Sequence, residues 1–426
     1  MQFLKPAYPL QCKNLYSIMK KQLLFTSLLL SSVMAFGAGY QLNLQGLRQL
    51  AMGGSGTAVA WDASSVFYNP GAMAQLESIQ VSGSILGIIP STQYAQSPGT
   101  YTANTQQQVF TPFNVYIAGP VAYKSRVNIG LGIYTPFGSG TKWNENWVGR
   151  YMSTNIKLQS VFIQPTVSVY VNEWLSVGGG FIYGFGGVQI NRNIPLQDMN
   201  GLDSKADLKG DAQGVGFNLG VQLTPGEKWE IGITYRSRVN MKVKNGDALF
   251  SSPASLQSSF PINSFSANLP LPEVISLGAA YHVNDRLTIQ ADLNLVGWKA
   301  YDSLVIDFKQ NTSAVQDSRE ERNYKNTLAV RVGGHYKLGD RVALMLGAAY
   351  DPTPVRDGIV TPDLPDANRW VGSGGVTFKA TEKLTLLGAV EYVSSQKRNS
   401  SWDAKGFSGI YQTTAITPGI GLTYDF

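Results

Sequence analysis

The sequence predicts an all-β chain, a 14-stranded antiparallel transmembrane β-barrel with an N-terminal hatch plugging the lumen. Three observations carry that expectation. Apolar and polar residues alternate in strand-length runs from Ser78 onward, short polar turns alternate with long connections, and about forty Gly- and Ala-rich residues precede the first strand. With 45 Gly, 21 Tyr, 18 Phe and a mean hydropathy of −0.07, the chain is rich in strand formers and has no apolar run long enough to span a bilayer as a helix.

The first element, residues 1–37, reads as an upstream extension plus a secretory signal peptide. Lys20-Lys21 precede the apolar run Leu23 to Phe36, LLFTSLLLSSVMAF, and small residues follow. A short buried helix is the alternative, but basic flank, run length and small residues coincide here. Cleavage after Ala35-Phe36-Gly37 leaves Ala38 as the first mature residue. Met19-Lys20-Lys21 looks like an ordinary signal start, so translation could begin at Met1 or Met19. Cys12 lies upstream of the apolar run, so the mature chain has no cysteine for disulfide or thiolate metal chemistry. Residues 1–37 also carry four Lys and no acid; the formal charge of +6 falls to +2 without them. No clustered cationic footprint for nucleic acid remains.

Residues 38–77 form the second element. They include Asp62 to Met73, DASSVFYNPGAM, and are too few to bury a core of their own. Asp62 is placed to cap a short helical fragment, and Asn69-Pro70 ends or kinks it. A barrel of fourteen strands encloses a lumen wider than its own side chains fill, and this segment is the available plug. The stretch GGSGTA at 53–58 lacks the Gly-Lys-Ser/Thr ending and preceding strand of a phosphate loop.

The third element, residues 78–426, is the barrel. In Trp229 to Arg236 one face carries Trp, Ile, Ile and Tyr while the other carries Glu, Gly, Thr and Arg; LTIQADLNL at 287–295 and the stretch from Leu384 to Tyr392 repeat the contrast. No amphipathic helix is present to cover such faces in water, so lipid covers them, although a soluble β-sandwich would also alternate. Tight turns fall at Lys124-Ser125-Arg126, Asn172-Glu173, Pro225 to Lys228, Asn284-Asp285, Gly339-Asp340 and Thr381-Glu382. Long connections such as Pro195 to Gly210 and Gly246 to Pro270 lie between them, the layout of short periplasmic turns and long extracellular loops. One strand on each side of six turns, plus a first from Ser78 and a last from Ile410, makes fourteen. Tyr123, Trp174, Trp229, Tyr281 and Tyr336 flank the turns as an interfacial girdle. The ending Ile420 to Phe426 resembles the carboxyl-terminal insertion signal of bacterial outer-membrane proteins, which implies the barrel assembly machinery and outer-membrane lipid as partners.

Particular residues sharpen the resemblance. AGYQLN from Ala38, GSGTAVA at 54–60, Asp62-Ala63 and Asn69-Pro70 resemble the hatch of the FadL family, outer-membrane transporters of long-chain fatty acids with a toluene-channel branch. Tyr134-Thr135-Pro136-Phe137-Gly138 is similar to a third-strand motif of that family. The resemblance implies a luminal hatch involving Asp62, Asn69, Pro70 and Gly71, ligand capture between the third and fourth extracellular loops, and lateral exit through a gap in the wall. Two departures stand out. The family's Asn-Pro-Ala reads Asn69-Pro70-Gly71, which is expected to loosen the kink, and its paired acids read Trp61-Asp62, which removes a charge contact.

Ligand chemistry follows from two groups of residues. The fourth long loop, Asp247 to Leu271, puts Leu249, Phe250, Leu256, Phe260, Ile262 and Phe265 where water is expected, either as an apolar capture surface or as packing against the third loop and rim. Strand alternation turns Arg236, Arg238 and Lys242 inward, together with Arg331, as candidates for a carboxylate head group; pairing with luminal acids such as Asp292 or Glu391 is the plainer role. The expected ligand is a hydrophobic small molecule, a long-chain fatty acid first and an aromatic hydrocarbon second, taken up passively by a monomeric barrel under control of the hatch. A general diffusion porin is the competing class, but it has little use for an apolar plug. Enzymatic chemistry is not expected: the only histidines, His282 and His335, fall near short turns, at the wrong end for a hydrolase facing the outer leaflet. No cofactor and no metal are called for.

Overall fold

The computed structural model describes residues 39–426; the extension and signal peptide expected at 1–37, and Ala38, lie outside the described residues. One antiparallel sheet closes on itself when β1 (Gln80–Leu86) pairs with the last strand, β22 (Phe407–Asp425). Fourteen staves make the wall. The first three are each broken in two: β1 with β2 (Ile89–Gln96), β3 (Thr102–Asn104) with β4 (Phe113–Pro120), and β5 (Val127–Tyr134) with β6 (Gly138–Lys142). Next come β7 (Asn155–Asn172), β8 (Leu175–Gln197) and β9 (Asp203–Leu223). The seventh and eighth staves are β10 (Trp229–Arg236) with β11 (Val239–Ser251), and β12 (Asn263–Leu271) with β13 (Val274–His282). The ninth is β14 (Leu287–Val296), after which β15 (Ser303–Phe308) and β16 (Ser318–Glu321) form a hairpin in a long loop. Then β17 (Thr327–Lys337), β18 (Val342–Asp351), β19 (Arg369–Lys379), β20 (Leu384–Ser395) and β22 complete the wall, with β21 (Arg398–Trp402) folded onto β22.

All six expected turns join neighbouring staves at one end of the barrel. Their aromatic girdle is in place: Tyr123, Trp174, Trp229 and Tyr336 are exposed, and the Trp229 and Tyr281 rings lie 4.7 Å apart. Along β14 the lipid-facing Ile289 and Leu293 are exposed while Thr288, Gln290 and Asp292 are buried inward. At the other end two expected loops are largely strand. β8 and β9 run to Gln197 and Asp203, leaving residues 198–202 as the turn in place of Pro195 to Gly210, and β11 and β12 shorten the fourth loop to residues 252–262. These staves rise beyond the roughly ten residues a tilted strand needs to cross a membrane, so their outer halves stand in water.

Residues 39–77 lie inside the wall. The segment holds α1 (Leu47–Ala51), α2 (Ser65–Tyr68) and a 3-10 turn at Ala72–Gln75, and most of it is buried. Inward side chains from around the barrel hold it: Asn114 of β4 donates to Leu44 O, Asn128 of β5 to Met73 O and Leu76 O, Gln164 of β7 to Val66 O, Asn218 of β9 to Phe67 O, and Gln290 of β14 to Ser55 O. An irregular buried segment leaves many backbone groups without helix or ladder partners. Luminal amides from the wall supply them.

Candidate functional site

Asn69 is the best-tied residue of the luminal segment. Its amide nitrogen stands 2.9 Å from Thr57 O, 3.1 Å from Val221 O and 3.0 Å from Gln222 Oε1, while its Oδ1 accepts from Gly71 N at 2.9 Å. Gln222 in turn donates to Glu230 Oε2 at 3.2 Å, and Glu230 Oε1 stands 2.8 Å from His282 Nε2. A relay therefore runs from the Asn69-Pro70 kink to the short-turn rim. Gly71, expected to loosen the kink, is seated tightly: its carbonyl accepts from Ser168 and Ser176, and a Cβ added there would stand 2.8 Å from Gly220 O. Asp62 does not occupy the N-cap of α2, which is Ser64. It acts two residues ahead, accepting from Ser64 N at 2.9 Å as in an Asx turn, and pairs with Arg48 at 3.2 Å. Trp61 donates to Gln290 and lies against the His335 ring.

The glycine-rich stretch does cradle an anion, and the anion belongs to the protein. Asp292 Oδ2 accepts from Gly56 N, Thr57 N and Thr57 Oγ1 at 2.8, 3.0 and 2.8 Å, the arrangement of a backbone nest. Asp292 is thus an anchor of the segment, while Arg331 takes Asp351 as its acid at 3.6 Å and also donates to Asn294 and Gly53 O.

Of the four candidate head-group cations, the structure turns only Arg236 and Arg331 inward. Arg236 donates to Phe67 O at 2.6 Å and its guanidinium carbon stands 3.5 Å from the Phe67 ring centroid, a cation–π contact. Among the described residues it has no carboxylate partner. Arg238 and Lys242 are exposed on the outer face, Arg238 paired with Glu273 at 3.1 Å. The reason is a β-bulge: six steps separate Arg236 from Lys242, but their β9 partners Asn218 and Gln213 are five apart. Ser237 fills the irregularity by accepting from Phe217 N through its side chain. One extra residue flips every following side chain, so Val239, Met241 and Val243 face inward instead.

A series of cavities with shared linings runs inward from the outer loops. The outermost, about 370 Å³, is lined by Arg192, Phe250, Phe260, Phe308 and Trp402. A neck of about 50 Å³ shares Phe250, Phe308 and Trp402 and adds Leu304 and Arg322. Next, a chamber of about 80 Å³ shares Leu304, Ile306 and Arg322 and adds Met241, Val243 and Phe265. Its Phe137, Leu158 and Leu364 also line the largest cavity, about 380 Å³, which holds Arg331, Asp351, Asp366, Arg369 and Glu391. A small cavity containing Arg236 shares Gln41, Asn43 and Arg331 with this last one. Phe250, Phe260 and Phe265 of the expected capture loop therefore line the series, and Leu256 packs against the same core. Leu249 and Ile262 do not: they are 51% and 86% exposed on the outside.

The largest cavity borders a break in the wall. Beyond Tyr134, which still pairs with Asn114, the third stave kinks at Thr135-Pro136 and leaves β4. The luminal segment takes over its backbone bonds: Leu42 N donates to Pro136 O and Gly138 N to Tyr40 O. β6 is then laddered to β7, while residues 110–112 stay with the first stave through Ile88–Phe110 and Leu86 N to Pro112 O. Thr111, Pro112 and Phe113 on one side and Thr135 and Phe137 on the other line the same cavity.

Sequence reasoning missed Arg322, 3% exposed at the neck. It pairs with Glu320 at 3.1 Å and Asp363 at 3.4 Å and donates to Thr361. It also missed Asn128, Gln164, Asn218, Gln222 and Gln290; amides at inward positions of membrane strands were the signal for them.

Comparison with known proteins gives a consistent picture. The family described as outer membrane protein transport protein (OMPP1/FadL/TodX) matches residues 28–426. A putative outer membrane protein of Neisseria meningitidis is 25% identical, the alignment covering 96% of this chain and 99% of that one, and the long-chain fatty acid transport protein of Escherichia coli K12 is 22% identical over 89% and 93%. Among solved structures, a Pseudomonas aeruginosa FadL homologue superposes with a TM-score of 0.79 at 22% identity, covering 91% of this chain and all of that one. The Pseudomonas putida toluene transporter TodX gives 0.71 at 14% identity over 91% and 99%.

Proposed function

The chain belongs to the OMPP1/FadL/TodX family of outer-membrane transporters for hydrophobic compounds, and from that premise we propose that it takes up long-chain fatty acids. The observation that carries this reading is Arg236: an inward guanidinium without a carboxylate partner among the described residues, at the inner end of a series of cavities whose outer members are largely apolar. An alkyl chain entering between Phe250, Phe260 and Phe308 gains about 0.8 kcal/mol per buried methylene, which suffices for capture without any polar contact. A carboxylate then needs donors deeper in, and Arg236 and Arg331 offer them. The break beside Thr135-Phe137 is the natural lateral exit, and the Asn69-Pro70 kink is the hatch that controls passage. One barrel contains the whole route, so a monomer suffices. The protein is not an enzyme.

A second reading, uptake of a neutral aromatic hydrocarbon, has one observation in its favour: Tyr40, Trp298, Tyr301 and Tyr324 form an edge-to-face cluster beside the chamber. Equilibrium binding to the detergent-solubilised barrel separates the two. A C16 fatty acid is expected to bind about ten-fold more tightly than its methyl ester, the scale of a lost charge-assisted hydrogen bond, with Arg236→Met abolishing the difference. Equal binding of acid and ester, with tight toluene binding, overturns the fatty-acid reading.

A further inference from the structure

The connection between β18 and β19, residues 352–368, folds into the barrel. Val355, Val360, Thr361 and Ala367 are buried. Its turn meets the end of β6, although β20, β22 and the first two staves stand between β19 and β6 in the wall. Thr141 Oγ1 of β6 donates to Asp363 O at 3.1 Å, and Trp143 Nε1 just beyond it donates to Pro362 O at 3.0 Å. The loop therefore bridges the lumen. From a second direction Arg322 donates to Thr361 Oγ1 at 3.0 Å and pairs with Asp363. From a third, Arg398 of β21 donates to Val355 O and Asp366 O, each at 2.9 Å.

The local sequence suits this burial. Pro352, Pro354, Pro362 and Pro365 bring no N–H that would need a partner. Thr361-Pro362-Asp363-Leu364 closes a β-turn, Leu364 N donating to Thr361 O at 3.1 Å, with Pro at the position that its fixed φ favours. Leu364 ends the turn, so its backbone is held. Its side chain is half-buried and packs against the apolar core. With Phe137 and Leu158 it lines both the chamber and the largest cavity, which places it where one opens into the other.

We propose that Leu364 is a width filter: carried across the barrel by the infolded loop, it sets the cross-section that passes from the apolar chamber to the cavity beside the wall break. Moving the loop aside breaks several buried hydrogen bonds together, a cooperative cost. The Leu364 side chain yields alone, by changing rotamer. A polymethylene chain needs no more room than that, whereas a fused ring system does. The inference rests on the reading of the cavities as one route and on no choice of head group.

The test has two arms, on full chains whose insertion is confirmed by heat-resistant migration. In a host lacking its own fatty-acid importer, uptake of hexadecanoic acid is compared with uptake of a fatty acid bearing a terminal pyrene. Leu364→Ala is expected to raise pyrenyl uptake about ten-fold, the scale on which an apolar site discriminates by size, and to leave hexadecanoic acid within about two-fold. Leu364→Cys, also smaller than Leu, is expected to shift the ratio the same way and stands in should the Ala variant fail to insert. The second arm needs no transport. With Cys12 replaced by Ser, Cys at 364 is the sole thiol, and dodecane at about ten times its dissociation constant is expected to slow its labelling by methyl methanethiolsulfonate about ten-fold in the detergent-extracted barrel. An unchanged uptake ratio, with hexadecanoic acid imported normally, overturns the filter and leaves the route standing. Wild type that imports neither acid counts against fatty-acid uptake, and the labelling arm then decides the filter: no protection by dodecane overturns it.

Discussion

Between Phe250 and Phe265 the cavities are lined by side chains that hold their places by packing, whereas around Asn69 and Asp292 the lumen is held by hydrogen bonds with single solutions. The outer chamber is apolar apart from the Arg322 cluster at its neck. The inner floor joins Asn69, Gln222, Glu230 and His282 in one chain and binds Gly56 and Thr57 through Asp292. Burial of hydrocarbon is non-directional, so the chamber tolerates any slender greasy ligand. A buried polar network tolerates one arrangement, and loses it abruptly when a member is deleted. On the proposed reading, capture and control rest on different physics at different depths.

Deleting one member of the inner network has the largest expected effect. Asn69→Ala strands several buried groups, each costing about 1–3 kcal/mol, and the loss should stay confined to residues 55–71. Hydrogen exchange there is expected to accelerate and ion conductance in planar bilayers to rise, while the barrel keeps its heat-resistant migration. A variant that no longer inserts would mean that the segment serves assembly. Phe265→Ala probes the other region. It should cost about 3 kcal/mol of thermal stability and weaken retention of alkyl chains, yet leave conductance at the wild-type level; a conductance rise would erase the distinction between the regions. Smaller still is the contrast between two neighbouring arginines. Arg236→Met should weaken fatty-acid binding about ten-fold, whereas Arg238→Met, outside the barrel and paired with Glu273, should leave the same binding assay unchanged.

The arginine contrast also marks how far the sequence could be read. On β14 and β10 the rule that apolar side chains meet lipid assigned both faces correctly, because those residues cross the membrane. On β11 the alternation of Val239, Met241 and Val243 with Arg238 and Lys242 was equally clear, but the same rule gave the wrong face. There the stave has left lipid for water, so charged residues belong outside and apolar ones line the chamber. The outer half of β9 repeats the inversion, with Ala206 and Leu208 buried and Asp207 and Lys209 exposed. Alternation gives two faces; only the solvent says which is which, and the rule changes at a depth that a bulge at Ser237 helps to hide. The motif Tyr134 to Gly138 was legible in the sequence, but not that the wall breaks there, because the break shows only once the luminal Tyr40-Gln41-Leu42 takes over its backbone bonds. Arg322 has a local acid in Glu320, but its burial at the neck was hidden because Asp363 and Thr361 reach it from another loop.

The outermost tether should show the smallest effect of all, and only in acid. Arg150, in the loop between β6 and β7, lies 2.6 Å from Asp203 at the start of β9, and Gln197, Asn193 and Tyr151 hydrogen-bond to the same carboxylate. The Arg150 guanidinium, followed by these neighbours, holds the Asp203 carboxyl well below the usual carboxylate range. A carboxylate with a depressed folded-state pKa contributes stability above its unfolded value, about 3.9, and loses it as pH falls toward the folded value. Protection of the backbone of residues 147–153 from proteolysis should therefore be flat from pH 8 to about pH 5 and decline below about pH 4. Asp203→Asn should lower protection at neutral pH and remove the acid-dependent step. The pair lies partly in water, so the change should amount to about 1 kcal/mol or less. A step of that size confined to the rim, with bilayer conductance constant across the same pH range, would place the outer loops and the proposed inner hatch under separate control; a conductance change that tracks Asp203 would couple them.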